Sequence, residues 1–162
     1  MSSLFDHEII KQLHSGSRSR VYRATAADGT ALVVKIPNQQ FPSFQQLAQF
    51  KREYAIAHRC RHPGVAHPLA LQLHAGCWTM ILEDTGCLAL DQVLRTRLAA
   101  RRSPSEPAMA LEDFFDIALQ LCAALEEVHR QGVIHKDINP SNLVWNGERR
   151  LLQLIDFGIA CE

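Results

Sequence analysis

Two short stretches near the end of the sequence hold the residue types that could do chemistry. HKDINPSN (residues 135–142) contains Asp137 and Asn142, and IDFG (residues 155–158) contains Asp156. Between them lie two apolar runs around an Asn-Gly pair, a pattern that predicts a β-hairpin whose loop the following Glu-Arg-Arg lengthens. Because a hairpin brings the start of its first strand beside the end of its second, we expect Asn142 and Asp156 to meet at one edge. Asp137 lies within reach of the same edge.

These side chains suit the handling of a metal-bound phosphate. Together, Asp137, Asn142 and Asp156 offer hard oxygen ligands of the kind that Mg²⁺ prefers, and Mg²⁺ usually completes its octahedron with water and substrate phosphates. One of the two carboxylates, left free of metal, could orient a hydroxyl and accept its proton, and His135 suits a packed scaffold role better than the role of base. Phosphoryl transfer requires little beyond these groups and a cation for the phosphates. The alternative is that Asp156 is an ordinary turn residue before Gly158 and that Asn142 caps the next segment.

The first half of the sequence predicts a sheet with one helix. EIIKQL, RVYRAT and TALVVKIP are strand-like runs separated by SGSRS and ADG. Ser43 and Gln46 form a capping box ahead of a helix that RHPG ends, and VAHPLALQLHA and CWTMILED predict two further strands. The apolar stripe expected on the helix comprises Phe44, Leu47, Phe50, Tyr54 and Ala57.

The second half predicts helices before the hairpin. RTRLAARRSPSEP (residues 95–107) is typical of a helix tail that runs into a solvated loop. EDFFDIALQLCAALEEVHRQG is the strongest helical pattern, with acidic residues at its start and Gly132 suited to its C-cap. Its expected apolar face comprises Phe114, Ile117, Leu121, Leu125 and Val128.

Composition places the chain among ordinary globular proteins. Its 162 residues suit one domain or part of a larger one, and 17 basic residues balance 17 acidic ones. We therefore expect no nucleic-acid partner, and no apolar run approaches the roughly 18 residues of a membrane segment. No secretory signal pattern opens the sequence. Five cysteines without a C-x-x-C pair fit reduced thiols in the cytoplasm better than a disulfide framework.

With these motifs in view, the sequence resembles the protein kinase family. HKDINPSN resembles the catalytic loop H-R-D-x-x-x-x-N, IDFG resembles the metal-binding D-F-G, and LVVK (residues 32–35) resembles the strand with the phosphate-pairing Lys. Glu53 lies on the next helix, where the ion-pair partner of that Lys belongs. The resemblance covers the whole chain. It implies an α+β, protein-kinase-like fold with an antiparallel N-lobe sheet, an αC helix and the start of a helical C-lobe.

The resemblance also implies a division and a set of roles. Residues 1–84 would form the N-lobe and hinge, and residues 85–162 an incomplete C-lobe truncated after D-F-G. Asp137 would accept the proton of the substrate hydroxyl, and Lys35, paired with Glu53, would steady the α- and β-phosphates of ATP. Magnesium would be held by Asn142 and Asp156. The remaining nucleotide contacts would come from Leu13, Gly16, Val21, Val33, Val144, Asp156 and the hinge backbone from Glu83 to Thr85.

The implied function is ATP- and Mg²⁺-dependent transfer of the γ-phosphate to Ser or Thr hydroxyls of a protein. The sequence also resembles the kinase domain that opens large bacterial sensor proteins, ahead of an ATPase-type module, a GAF domain and a histidine kinase. The residues that carry this resemblance are HKDINPSN, LIDFGIA and SRVYRA. We therefore expect a cytoplasmic signalling protein with further domains downstream. The protein substrate is not readable from the sequence.

The sequence departs from the family pattern in its glycine-rich loop and its catalytic loop. Only Gly16 remains of three loop glycines, Asn139 stands where Ser/Thr kinases usually carry Lys, and Lys136 replaces an Arg. These departures leave two alternatives open: a pseudokinase or regulatory nucleotide-binding module, and a kinase-like small-molecule phosphotransferase. The intact D-F-G and the placement of Lys35 and Glu53 count against the latter.

The sequence stops four residues after Gly158, without the activation segment of the family. We therefore expect the Phe114 face and the Trp145 side of the second half to lie uncovered. We also expect this chain alone to be inactive.

Overall fold

A computed structural model describes residues 3–4, 7–39, 42–74, 76–103 and 105–162. The predicted strand that ends at Ala75 and the predicted loop through Pro104 each include one residue outside this described part. Contacts divide the chain into two units. The first unit comprises residues 1–59 and 67–84, and the second comprises residues 60–66 and 85–162.

The first unit is built on a six-stranded antiparallel sheet in the order β1-β2-β3-β4-β6-β5. The predicted meander is confirmed by β2, β3 and β4, and one helix, α1, precedes β5. The predicted strand from Val65 begins three residues later, because Val65 instead forms a parallel bridge with Leu154 in the second unit. The elements are β1 (Ser3–Leu4), β2 (His7–Ser15), β3 (Ser19–Thr25), β4 (Ala31–Pro37), α1 (Phe44–Arg59), β5 (Pro68–His74) and β6 (Cys77–Glu83).

Strand alternation gives this sheet two different faces. Val21 pairs with Lys35, and Val33 lies two residues before Lys35, so these three side chains share one face. The opposite face carries an apolar core of Ala24, Leu32, Val34, Ile36 and Ile81. The period of two along β4 therefore separates the candidate chemical face from the packing face.

Helix α1 begins with the predicted capping box. The Ser43 backbone N–H donates to Gln46 Oε1 at 2.8 Å, and the Gln46 N–H donates to Ser43 Oγ at 3.2 Å. The predicted apolar stripe is wrong at Phe44, which is 90% exposed because it lies in the first turn, ahead of the face that packs. The buried face comprises Phe50, Glu53, Ile56 and Ala57.

The second unit contains the helices α2 and α3 and a three-stranded sheet in the order β7-β8-β9. Its elements are β7 (Leu88–Ala89), α2 (Leu90–Ala99), α3 (Leu111–Arg130), β8 (Leu143–Asn146) and β9 (Leu151–Leu154). Strand β7 was not expected from the sequence, because two residues are too short for a periodic signal. No described helix is long and apolar enough to span a membrane.

Helix α3 ends where the sequence predicts. Gly132 has φ +73°, its N–H donates to the His129 carbonyl at 2.9 Å, and the Val133 N–H donates to the Val128 carbonyl at 3.1 Å. This pair of bonds is a Schellman motif, which requires a left-handed residue at the position of Gly132. The expected apolar face of α3 is buried at Ile117 and Val128.

The predicted hairpin is formed by β8 and β9, with a loop of residues 147–150 as the lengthened turn implied. The expectation of uncovered surface is confirmed at Phe114, which is 54% exposed. It is wrong at Trp145, which is 2% exposed, because β8 is the central strand of its sheet and pairs Trp145 with Leu88 on one side and Leu152 on the other.

Candidate active site

In the first unit, an ion pair joins Lys35 on β4 to Glu53 on α1. Lys35 Nζ donates to Glu53 Oε1, and the two side chains are only 11% and 9% exposed. A charged pair this deeply buried carries a large desolvation cost and is weak evidence of a contribution to stability. The ammonium group can therefore be held for another purpose, such as binding a phosphate.

Cross-strand register places two of the predicted nucleotide contacts of this unit on the sheet face of Lys35. Val21 and Val33 are half-buried and share its sheet face, whereas Leu13 lies at a bulge, between the paired residues Gln12 and His14. Bulges re-aim side chains, and here the alternation of β2 is broken next to the glycine loop.

The loop after β2 contains one glycine under a histidine ring. A Cβ built on Gly16 would lie 2.6 Å from His14 Nε2, so the imidazole covers the backbone there. The Gly16 N–H donates to the Ser19 carbonyl at 3.0 Å and closes the turn. This amide is already used, and the loop offers a phosphate less open backbone than a three-glycine loop does.

The segment after β6 is anchored by an ion pair that the sequence did not reveal. Arg23 on β3 donates to both carboxylate oxygens of Asp84, from Nε to Oδ2 and from Nη2 to Oδ1 at 3.0 Å. The Asp84 N–H also reaches the Ala31 carbonyl at 3.4 Å. A bidentate fork of this kind fixes the direction of Asp84, next to the predicted hinge residue Glu83.

In the second unit, the amides of two asparagines hold Asp137. Asn142 Nδ2 donates to Asp137 Oδ2 and to the Asp137 carbonyl, both at 2.9 Å. Asn139 Nδ2 donates to Asp137 Oδ1 at 3.0 Å and to the same carbonyl at 3.2 Å. A carboxylate oxygen has more than one acceptor site, so each one retains capacity to accept a proton.

Strand pairing brings the two predicted metal ligands to one edge. The Ile155 N–H donates to the Asn142 carbonyl at 2.9 Å, directly beyond the β8–β9 pairing, and Asp156 is the next residue. Asn142 Oδ1 accepts no hydrogen bond from any residue that the structure describes. Hard cations such as Mg²⁺ prefer amide and carboxylate oxygens, which Asn142 and Asp156 both carry, so the residue types present fit the metal.

His135 is a buried scaffold residue. It is 1% exposed, its Nε2 lies 3.0 Å from the Ile155 carbonyl, and its Nδ1 accepts the Asp137 N–H at 3.3 Å. These contacts require the tautomer with its proton on Nε2. Burial holds the pKa of His135 below its ordinary value, although the Ile155 carbonyl and the nearby aspartates oppose the shift. The neutral ring therefore links the two chemical stretches and packs edge-on against Phe157.

Two residues of the chemical stretches adopt left-handed backbone conformations without being glycine. Lys136 has φ +68° and Asp156 has φ +63°. Such conformations cost free energy at non-glycine residues and concentrate at functional sites. Here they directly precede Asp137 and the D-F-G phenylalanine, and the Gly158 N–H donates to Asp156 Oδ1 at 3.1 Å.

Thr85 begins the second part of this unit and is tied to the hairpin. Its hydroxyl donates to Gln153 Oε1 at 2.8 Å, and its carbonyl accepts from Asn146 Nδ2 at 3.0 Å and Arg149 NH1 at 3.3 Å. Val144, the predicted adenine contact on β8, is half-buried. The Thr85 carbonyl is thus already engaged, so the prediction that the Thr85 backbone contacts a nucleotide depends on its N–H.

The motifs and their geometry can be compared with known families. The model of the protein kinase domain matches residues 7–162. The chain belongs to the protein kinase family. This kinase chain is 30% identical over 99% of its length to a serine/threonine/tyrosine-protein kinase of Arabidopsis thaliana, covering 39% of that protein. It is 32% identical over 95% of its length to CBL-interacting protein kinase 4 of Oryza sativa, covering 33% of it.

A bacterial relative is also found. The chain is 26% identical over 95% of its length to a probable serine/threonine-protein kinase of Clostridium perfringens, covering 21% of that protein. The kinase chain therefore spans less than half the length of these curated relatives.

Sequence reasoning missed three contacts of the site: the Asn139 amide on Asp137, the Arg23–Asp84 fork and the engaged Thr85 carbonyl. Asparagine is a turn-forming residue whose side chain bonds nearby groups, so its position in this loop could have flagged the first. The other two join residues 61 positions apart, and no local pattern announces them.

Proposed function

We propose that this kinase chain carries the catalytic part of a protein kinase that transfers the γ-phosphate of ATP to Ser or Thr hydroxyls of a protein, with Mg²⁺. The observation that carries the proposal is the hydrogen bond from Asn142 to the Asp137 carboxylate, together with the bond from the Ile155 N–H to the Asn142 carbonyl, one residue before Asp156. It combines a base and hard-metal ligands at one hairpin edge. Phosphoryl transfer depends on this combination.

The proposal assigns a role to each of the candidate site residues in the catalytic-loop and D-F-G stretches of the second unit. Asp137, oriented by the asparagine amides, accepts the proton of the attacking hydroxyl at one of its carboxylate oxygens. Asn142 and Asp156 hold Mg²⁺ through their side-chain oxygens. The bound ion supplies neutralisation of phosphate charge. His135 keeps both stretches in register through its two ring nitrogens.

In the first unit, Lys35 supplies a positive charge for the α- and β-phosphates, and Glu53 holds its ammonium group in place. Leu13, Gly16, Val21, Val33, Val144 and the Glu83–Thr85 backbone stay predictions as nucleotide contacts. We further propose that the chain belongs to a cytoplasmic signalling protein with additional domains. The resemblance of the catalytic stretches to bacterial sensor kinases supports the signalling role, and the five free cysteines support the cytoplasmic location.

The test uses the chain and, where a longer natural protein contains it, that protein. Titration calorimetry with Mg·ATP measures binding, and transfer of labelled phosphate to a generic protein substrate measures activity. Asp137→Asn should retain Mg·ATP binding and lose transfer by about 100-fold or more. Phosphoamino-acid analysis should show phosphoserine or phosphothreonine. The prediction that this chain alone is inactive is tested by comparing the two proteins.

A regulatory nucleotide-binding module is the second candidate, favoured by the His14 ring over Gly16. It predicts Mg·ATP binding without transfer in the long protein, and no effect of Asp137→Asn. Phosphate transfer to an aminoglycoside or choline, with none to protein, would instead favour a small-molecule phosphotransferase. Absence of Mg·ATP binding in both proteins would contradict the proposed function.

A further inference from the structure

The side chain of Asn139 makes two hydrogen bonds with Asp137 in addition to the one that closes its own turn. Its Nδ2 bridges the Asp137 carboxylate at 3.0 Å and the Asp137 carbonyl at 3.2 Å. Its Oδ1 accepts the Ser141 N–H at 2.9 Å, so the amide is held from both ends. Asn142 makes the matching bridge to the other carboxylate oxygen. The two amides thus grip both oxygens of one carboxylate.

Two hydrogen bonds, one to each oxygen, restrict rotation of the Asp137 carboxylate more than one bond can. The terminal torsion of an aspartate is broad, so a carboxylate held at a single oxygen can still rotate about its Cβ–Cγ bond. Asn142 alone would allow that rotation. With Asn139 on Oδ1 and Asn142 on Oδ2, the carboxylate plane is fixed, and each oxygen still has acceptor capacity for a substrate proton. Both anchors are neutral, so they leave the charge of Asp137 in place.

We infer that Asn139 is a positioning residue for phosphoryl transfer, which fixes the carboxylate plane of Asp137 toward the attacking hydroxyl. The inference rests on the proposed function, in which Asp137 is the base. A small misplacement of a base costs rate rather than nucleotide binding, because the bound geometry must already approach that of the transition state. Replacement of Asn139 should therefore lower kcat and leave the KM for ATP unchanged.

The competing explanation is that Asn139 only caps the turn at Ser141, and two variants separate them. Asn139→Asp keeps the oxygen that accepts the Ser141 N–H but loses the amide donor. Asn139→Ala loses both and adds no charge, which controls for the carboxylate of the first variant. The matched control is Ser141→Ala, since Ser141 is exposed and contributes only its backbone N–H to this network.

In the longer natural protein that contains this chain, both Asn139 variants should lower kcat by about 10- to 100-fold. Their KM for ATP and their calorimetric Kd for Mg·ATP should stay within about twofold of wild type, and Ser141→Ala should match wild type in kcat. A kcat of Asn139→Ala within about twofold of wild type would overturn the inference. Retention of kcat by Asn139→Asp alone would also overturn it in favour of turn capping.

Nuclear magnetic resonance separates this inference from the proposed function. A scalar coupling across the hydrogen bond from the Asn139 side-chain nitrogen to the Asp137 carboxylate carbon should be present in wild type and absent in Asn139→Asp. If the longer natural protein transfers no phosphate, the proposed function fails, and the coupling decides whether Asn139 holds the carboxylate. A missing coupling in wild type overturns the inference whatever the activity.

Discussion

Replacement of Glu53 by Gln should destabilise the first unit strongly, although the two side chains have nearly the same shape. Glu53 is the carboxylate partner of Lys35, and the two side chains are only 9% and 11% exposed. In Glu53→Gln the ammonium group stays buried and loses the negative charge of its Glu53 partner. Lys35→Met removes the opposite partner and leaves a buried carboxylate.

The magnitude follows from burial. Removal of one partner of a buried ion pair costs about 3–5 kcal/mol, and the lower end applies to Gln because its carbonyl still accepts a hydrogen bond from Lys35. About 3 kcal/mol corresponds to a fall of roughly 6–12 °C in Tm for a chain of this size. The double variant Lys35→Met/Glu53→Leu should recover most of the loss, because an apolar pair carries no desolvation cost.

The two tryptophans provide an assay for each unit. Trp78 lies in the first unit and Trp145 in the second. Urea unfolding followed by fluorescence in a Trp145→Phe background should show the loss as a lower midpoint with an unchanged slope. In a Trp78→Phe background, the transition reported by Trp145 should shift less.

The exposed pair Arg95–Asp91, with side chains 74% and 27% exposed, is the matched control. Arg95→Ala should cost less than about 0.5 kcal/mol. The reasoning is refuted if Glu53→Gln unfolds within about 0.5 kcal/mol of wild type, or if the double variant is as unstable as the sum of the single variants. Recovered stability with lost Mg·ATP binding would show that the pair serves the nucleotide.

Three further predictions concern pH, a helix end and a helix start. Burial lowers the pKa of His135 in the folded chain, so the unfolded chain takes up a proton first as the pH falls through 6.5, the ordinary value, and stability is lost on acidification. The fall in Tm from pH 7.5 to 5.5 should therefore be smaller in His135→Asn, and an equal fall would contradict this prediction. Gly132→Ala forces a left-handed alanine and should cost about 1–2 kcal/mol by urea unfolding, whereas Gly147→Ala, whose φ is not left-handed, should cost clearly less. Ser43→Ala removes the cap of α1 and should cost about 1 kcal/mol, measured by loss of helical circular dichroism on heating; no change would show that the cap is not used.

Much of the fold could be predicted because its signals are local. The capping box at Ser43 and the glycine after α3 depend on residues a few positions apart, and both appear in the structure. The same applies to the hairpin of β8 and β9, where the turn residues set the register. The error at Phe44 has the opposite origin, since helical periodicity does not say where along a helix its partner begins.

The site divides in the same way. Sequence spacing by itself predicted that Asp137, Asn142 and Asp156 lie near one hairpin edge, because strand pairing follows from a turn and two apolar runs, and the hairpin places Asn142 opposite Ile155. Only the tertiary structure decided what holds them. The tautomer of His135 and the anchoring of Asp84 by Arg23 depend on contacts between residues 20 and 61 positions apart. The sequence marks Asn139 only as an unusual residue, whereas its amide on Asp137 depends on how the loop backbone turns, which three-dimensional packing fixes.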